Sequence, residues 1–182
     1  MFINYRFHFL IMFTNSDTKT VCSSLKLRWK GIFDFDILYK EMKRFLEVNG
    51  LGDENSNFVE EKYAERIKGD SKQLEIRWKG ERIVNDYFSY TIEITFLVLD
   101  LKAIKVKKDD EEIGTNTGDI EMRFSANLVL NRMGRWKPDG LMKKLYDKYI
   151  IKDRIEQHMI ELYKLVYRLR DDIKARLELH RF

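Results

Sequence analysis

Leu25-Lys26-Leu27-Arg28-Trp29-Lys30 alternates apolar and charged positions without a break. That is the pattern of a strand with one face buried, and Gly31 ends it. Asp34 or Asp36 then offers a carboxylate to cap a helix by accepting from its unpaired N–H groups. Phe35, Leu38, Met42, Phe45 and Leu46 follow at spacings of three and four and predict an amphipathic helix, which Asn49-Gly50 stops. Residues 51–57 read as a polar loop. Phe58–Lys68 is a weaker strand that carries Val59, Tyr63 and Ile67 irregularly, and Gly69-Asp70-Ser71 reads as a turn. Leu74–Lys79 alternates again.

From Tyr87 the pattern strengthens. Tyr90, Ile92, Ile94, Phe96 and Val98 share one face, against Thr91, Glu93 and Thr95 on the other. Leu97, Leu99 and Leu101 make that second face apolar too, so the strand is expected to be covered on both sides, by a helix or by another subunit. Ile104 and Val106 continue it, and Asp109-Asp110-Glu111-Glu112 reads as a hairpin tip. Ile120, Met122, Phe124, Ala126, Leu128 and Leu130 match period two six times and belong antiparallel to 90–106. Pro138-Asp139-Gly140 punctuates the chain. Leu141 to about Glu178 reads as helix, broken near Ile150-Ile151. Within it Ile155, Met159, Leu162, Val166, Leu169 and Ile173 step by 4, 3, 4, 3 and 4, a heptad seam that Tyr163 and Tyr167 widen. The order predicts an α+β fold: an antiparallel β-sheet with helices packed on one face and a long C-terminal helix. Residues 25–182 form one domain in this reading, and 1–24 an extension or linker.

The first 13 residues are apolar and aromatic but shorter than the ~20 a bilayer span needs. Three readings stay open for them: a targeting signal, a strand built on Phe7, Phe9 and Ile11, or a start-site artefact with Met12 as the true start. Arg6 and His8 interrupt the run, and no small-x-small cleavage pattern follows it. Thr14–Ser24 reads as a linker.

Composition adds limits. With 182 residues, 44% hydrophobic and 35% charged, the chain is long enough for a sizeable core and unlike a disordered tail, a collagen-like fibre or a multi-pass membrane protein. One cysteine, Cys22, excludes an intrachain disulfide framework. The net charge of +4 is spread as +4 over residues 1–31, −3 over 32–138 and +3 over 139–182, closer to a solvated surface than to an electrostatic footprint.

All three tryptophans stand in the same tripeptide: Arg28-Trp29-Lys30, Arg77-Trp78-Lys79 and Arg135-Trp136-Lys137. Such strands could stack bases and neutralise phosphates, as single-strand binders do. In a half-buried strand the indoles are instead core and their neighbours face water, and this second reading is preferred. The catalytic inventory is thin. His8, His158 and His180 form no metal-spaced pair, and His158 reads as a surface residue. Cys22 has no histidine near it in sequence, and no nucleophile elbow, phosphate loop or HExxH motif occurs. No catalytic residue, metal site or cofactor is therefore expected.

Trp29-Lys30-Gly31, Phe33-Asp34-Phe35, Leu38-Tyr39, Tyr90-Thr91-Ile92, Gly134-Arg135-Trp136, Tyr146-Asp147-Lys148-Tyr149-Ile150-Ile151, Leu162-Tyr163 and Val166-Tyr167 together resemble a group of small uncharacterised archaeal proteins. The resemblance covers about residues 25–177 and implies no activity.

The expected function is a non-catalytic assembly or protein-interaction domain that self-associates, with virus-like tail and connector parts as an analogy. The candidate contact residues are Leu97, Leu99 and Leu101 together with the seam Ile155, Met159, Leu162, Val166, Leu169 and Ile173. The alternative is a single-stranded nucleic-acid binder using the Arg-Trp-Lys tripeptides. The expected partner is a second copy or another protein, with no membrane span. The expected compartment is the cytoplasm, with assembly in a virion or outside the cell left open.

Overall fold

The computed structural model describes residues 18–52, 58–108, 111–137 and 140–179. The alternating runs become five strands: β1 (Thr18–Phe33), β2 (Phe58–Lys68), β3 (Ser71–Ile83), β4 (Ser89–Lys108) and β5 (Glu111–Val129). They pair antiparallel throughout, in the order β1-β5-β4-β3-β2. Register keeps the apolar sets together. Trp29 stands opposite Ile120, Ile94 opposite Phe124, and Trp78 opposite Ile94 on its other side.

Three helices follow the strands' lead: α1 (Phe35–Val48), α2 (Leu141–Leu145) and α3 (Lys152–Leu179), with a π-helical turn, Tyr146–Ile150, between the last two. Asp34 caps α1, its carboxylate accepting from the Ile37 N–H at 2.9 Å. Helices α1 and α3 cover one face of the sheet. Phe35, Leu38, Met42 and Leu46 from α1, and Ile155, Leu162, Val166, Leu169 and Ile173 from α3, join the strand residues in one buried core. Leu51, read as part of a polar loop, is fully buried there. The fold is thus α+β, an antiparallel sheet with helices on one face and a long C-terminal helix.

Several expectations need correction. Thr18–Ser24 is strand, not linker: it continues β1 past two register shifts against β5. The readings of residues 1–13, and of Asp109, Asp110, Pro138 and Asp139, lie outside the described residues. The two-sided apolar strand is not built as expected. A bulge interrupts β4 after Leu99, where Asp100 adopts φ 51°, and it turns Leu101 to the helix-covered face, 7% exposed. Only Leu97 and Leu99 keep the second face.

Candidate functional site

The strands and helices place the tryptophans first. Trp78 is fully buried under α1, its ring 4.7 Å from both Tyr39 and Phe96. Its Nε1–H donates to Glu60 at 2.9 Å. Trp29 packs against the same core. Alternation then sends Arg28, Lys30, Arg77 and Lys79 to the opposite face of the sheet. Cross-strand carboxylates hold several of that face's cations: Arg28 to Asp119 and Lys26 to Glu121 at 2.6 Å, Lys79 to Glu93 at 3.8 Å. Hydrogen bonds from Arg28 and from Lys26 hold Asp119 and Glu121 below the usual carboxylate range. Indole and guanidinium therefore share no surface in these two strands. The third tripeptide lies in a loop, where Asn131 brackets Trp136 and the indole stacks on Tyr146, centroids 5.4 Å apart.

The contact residues expected for self-association are mostly spent within the chain. Ile155, Leu162, Val166, Leu169 and Ile173 are buried against the sheet, and Met159 is partly buried. Their three-four spacing thus serves as sheet cover, a correction to their use as a free coiled-coil face. Leu97 is 41% exposed and Leu99 half-buried.

Three tyrosine–carboxylate contacts tie elements together. Tyr39 on α1 donates to Glu60 on β2. Tyr87 donates to Asp147 in the π-helical turn. The Tyr90 hydroxyl on β4 lies 3.0 Å from Glu161 and 2.8 Å from His158 Nδ1, both on α3. Its single proton goes to the acceptor-only carboxylate, so the imidazole donates to it. His158 is thus a partly buried bridge and not the surface residue expected. Burial first, and the carboxylate second, push all three phenols above their ordinary ionisation range. A phenol held protonated donates a hydrogen bond and is no base or nucleophile at neutral pH. These contacts act as fasteners.

A 480 Å³ cleft runs between α1 and α3, with Met42, Leu169 and Ile173 beneath Arg44, Arg168 and Asp172. Glu41 and Arg176 also line it and pair with each other at 3.2 Å. Among the described residues no group of three or more His, Cys, Asp or Glu side chains is placed to hold a metal ion.

The most unusual surface is one that pattern reading passed over. Along Leu141–Ile150 polarity is inverted. Lys143 points inward, 2% exposed, and pairs with Asp147 at 2.6 Å. Leu141, Met142, Leu145, Tyr149 and Ile150 point outward, between 45% and 76% exposed. Lys143, Asp147 and Ile151 lie four residues apart in succession and so fall on one side of the segment, the inner one. A scattered apolar residue at a surface is ordinary, whereas five exposed within ten residues are a concentration of apolar surface. The sequence reads as helix here, but only the fold shows which side of it meets solvent. A scan of the sequence against protein-family models returned no match, and neither did a search of curated proteins.

Proposed function

We propose that this protein works by contact and not by catalysis, as an interaction domain whose working face is the outward side of Leu141–Ile150. The observation that carries the reading is the inversion itself. A helix that keeps an ion pair inside and five large apolar groups outside leaves unmet the burial that usually stabilises such groups, at roughly 1.5–3 kcal/mol for each large side chain fully covered. A partner that covers the stripe recovers that free energy. Self-association is available to the protein through this stripe and not through the α3 seam, whose apolar side chains already meet the sheet. The base-stacking alternative draws no support from β1 and β3, where indoles and cations take opposite faces.

A photo-crosslinking residue placed at Met142 in the full chain tests this in living cells, with Arg77 on the sheet's second face as the control position. Adducts at position 142 and none at 77 are expected, and their mass gives the partner's class. Equal labelling at both positions, or none at 142, refutes the reading.

A further inference from the structure

We infer that the outward face of Leu141–Ile150 docks on an anionic lipid surface, an inference that rests on this segment being the contact face. The arrangement of side chains selects that occupant. Leu141, Leu145 and Tyr149 stand four residues apart and form one row along the segment. Lys144 and Lys148 repeat the same step beside it, and Lys152, which continues it, pairs with Glu156 at 3.7 Å. Lys144 and Lys148 are exposed, and neither is ion-paired among the described residues. The Lys148 ammonium lies 5.3 Å from the Tyr149 ring. The one carboxylate within Leu141–Ile150, Asp147, is turned inward onto Lys143 and Tyr87. The outward face is therefore apolar and positive, with no negative group of its own.

That combination disfavours a second copy of the same stripe. A two-fold pairing would bring two lysine rows toward one another with no outward acid within the segment to offset them. A bilayer carrying anionic headgroups answers both halves of the surface. Leucine, methionine and isoleucine enter the acyl boundary, tyrosine sits at headgroup level, and lysine stems lie along apolar surface with their ammonium groups on phosphate. The contact is peripheral, since no described helix is long and apolar enough to cross a membrane.

The test is co-sedimentation of the full chain with vesicles of phosphatidylcholine alone and of phosphatidylcholine mixed with phosphatidylglycerol. Binding to the mixed vesicles, weakening with added salt, is expected. Lys144→Gln and Lys148→Gln should each weaken it about fivefold. Leu141→Ser with Tyr149→Ser should abolish it while circular dichroism stays native, and Lys26→Gln with Lys30→Gln should leave it unchanged. Equal binding to neutral vesicles, no binding, or binding that survives the stripe substitutions overturns the inference, the last by moving the affinity to another part of the chain. So does a concentration-dependent dimer that Leu141→Ser with Tyr149→Ser dissolves. Protein adducts at position 142 together with failed vesicle binding defeat the lipid inference and leave the contact reading standing. The absence of adducts defeats both.

Discussion

Gly80 has a neighbour that other side chains would collide with. A Cβ built there would lie 2.4 Å from the Leu51 carbonyl oxygen, a backbone atom that cannot swing aside. The close approach lets the chain beyond α1 settle onto β3, with Leu51 fully buried. Gly80→Ala should therefore cost about 1–3 kcal/mol of stability, as overpacking in a filled core does. Urea unfolding measures it, and a midpoint unchanged from the parent protein would contradict the packing. At this scale alternation shows which residues share a face, so the burial of Trp78 was legible. The bulge at Asp100 was not. Leu97, Leu99 and Leu101 alternate straight through it, and nothing in the residue types marks where the register slips.

Among elements, α1 was the most legible, because its stripe and its cap agree. Asp34→Ala removes the acceptor for the Ile37 N–H and should destabilise the protein by about 1 kcal/mol. Asp34→Asn, which keeps an acceptor oxygen, should restore most of that loss in the same unfolding measurement. The segment Leu141–Ile150 was the least legible, since an apolar stripe reads the same whether it faces a core or solvent. Its inner ion pair gives a sharper prediction. Lys143→Ala strands Asp147, leaving it the Tyr87 hydroxyl as its partner among the described residues, and should destabilise by about 3–5 kcal/mol. Lys143→Ala with Asp147→Ala should cost less than the single change, and a double variant that is worse than the single would show that the pair is not a unit.

For the whole molecule, the fasteners set the pH range. Tyr39, Tyr87 and Tyr90 ionise above their ordinary range in the folded state, so the native protein holds these protons more tightly than the unfolded chain. Their contribution is complete below about pH 10 and declines as pH rises further. Tyrosinate absorbance followed beside circular dichroism should show these phenols ionising only as the fold is lost. Titration of all nine tyrosines with native dichroism intact would refute it. On the acid side the sign reverses. Bonds from Arg28, Lys26 and Lys62 hold Asp119, Glu121 and Glu75 below the usual carboxylate range. Their stabilisation is present at neutral pH and is lost as pH falls through and below the ordinary carboxylate range near 4. The α+β architecture was readable at this scale, because strand and helix periods differ. The partner of each cation was not, because cross-strand register decides it.

The inverted polarity of Leu141–Ile150 also bears on how the protein is handled. Serine at Leu141 and Tyr149 would make preparations easier to concentrate, since greasy surface is what drives clumping in a test tube. If the stripe is the contact face proposed above, a sample improved in that way would be well behaved and inert, and an assay run only on such material would miss the contact.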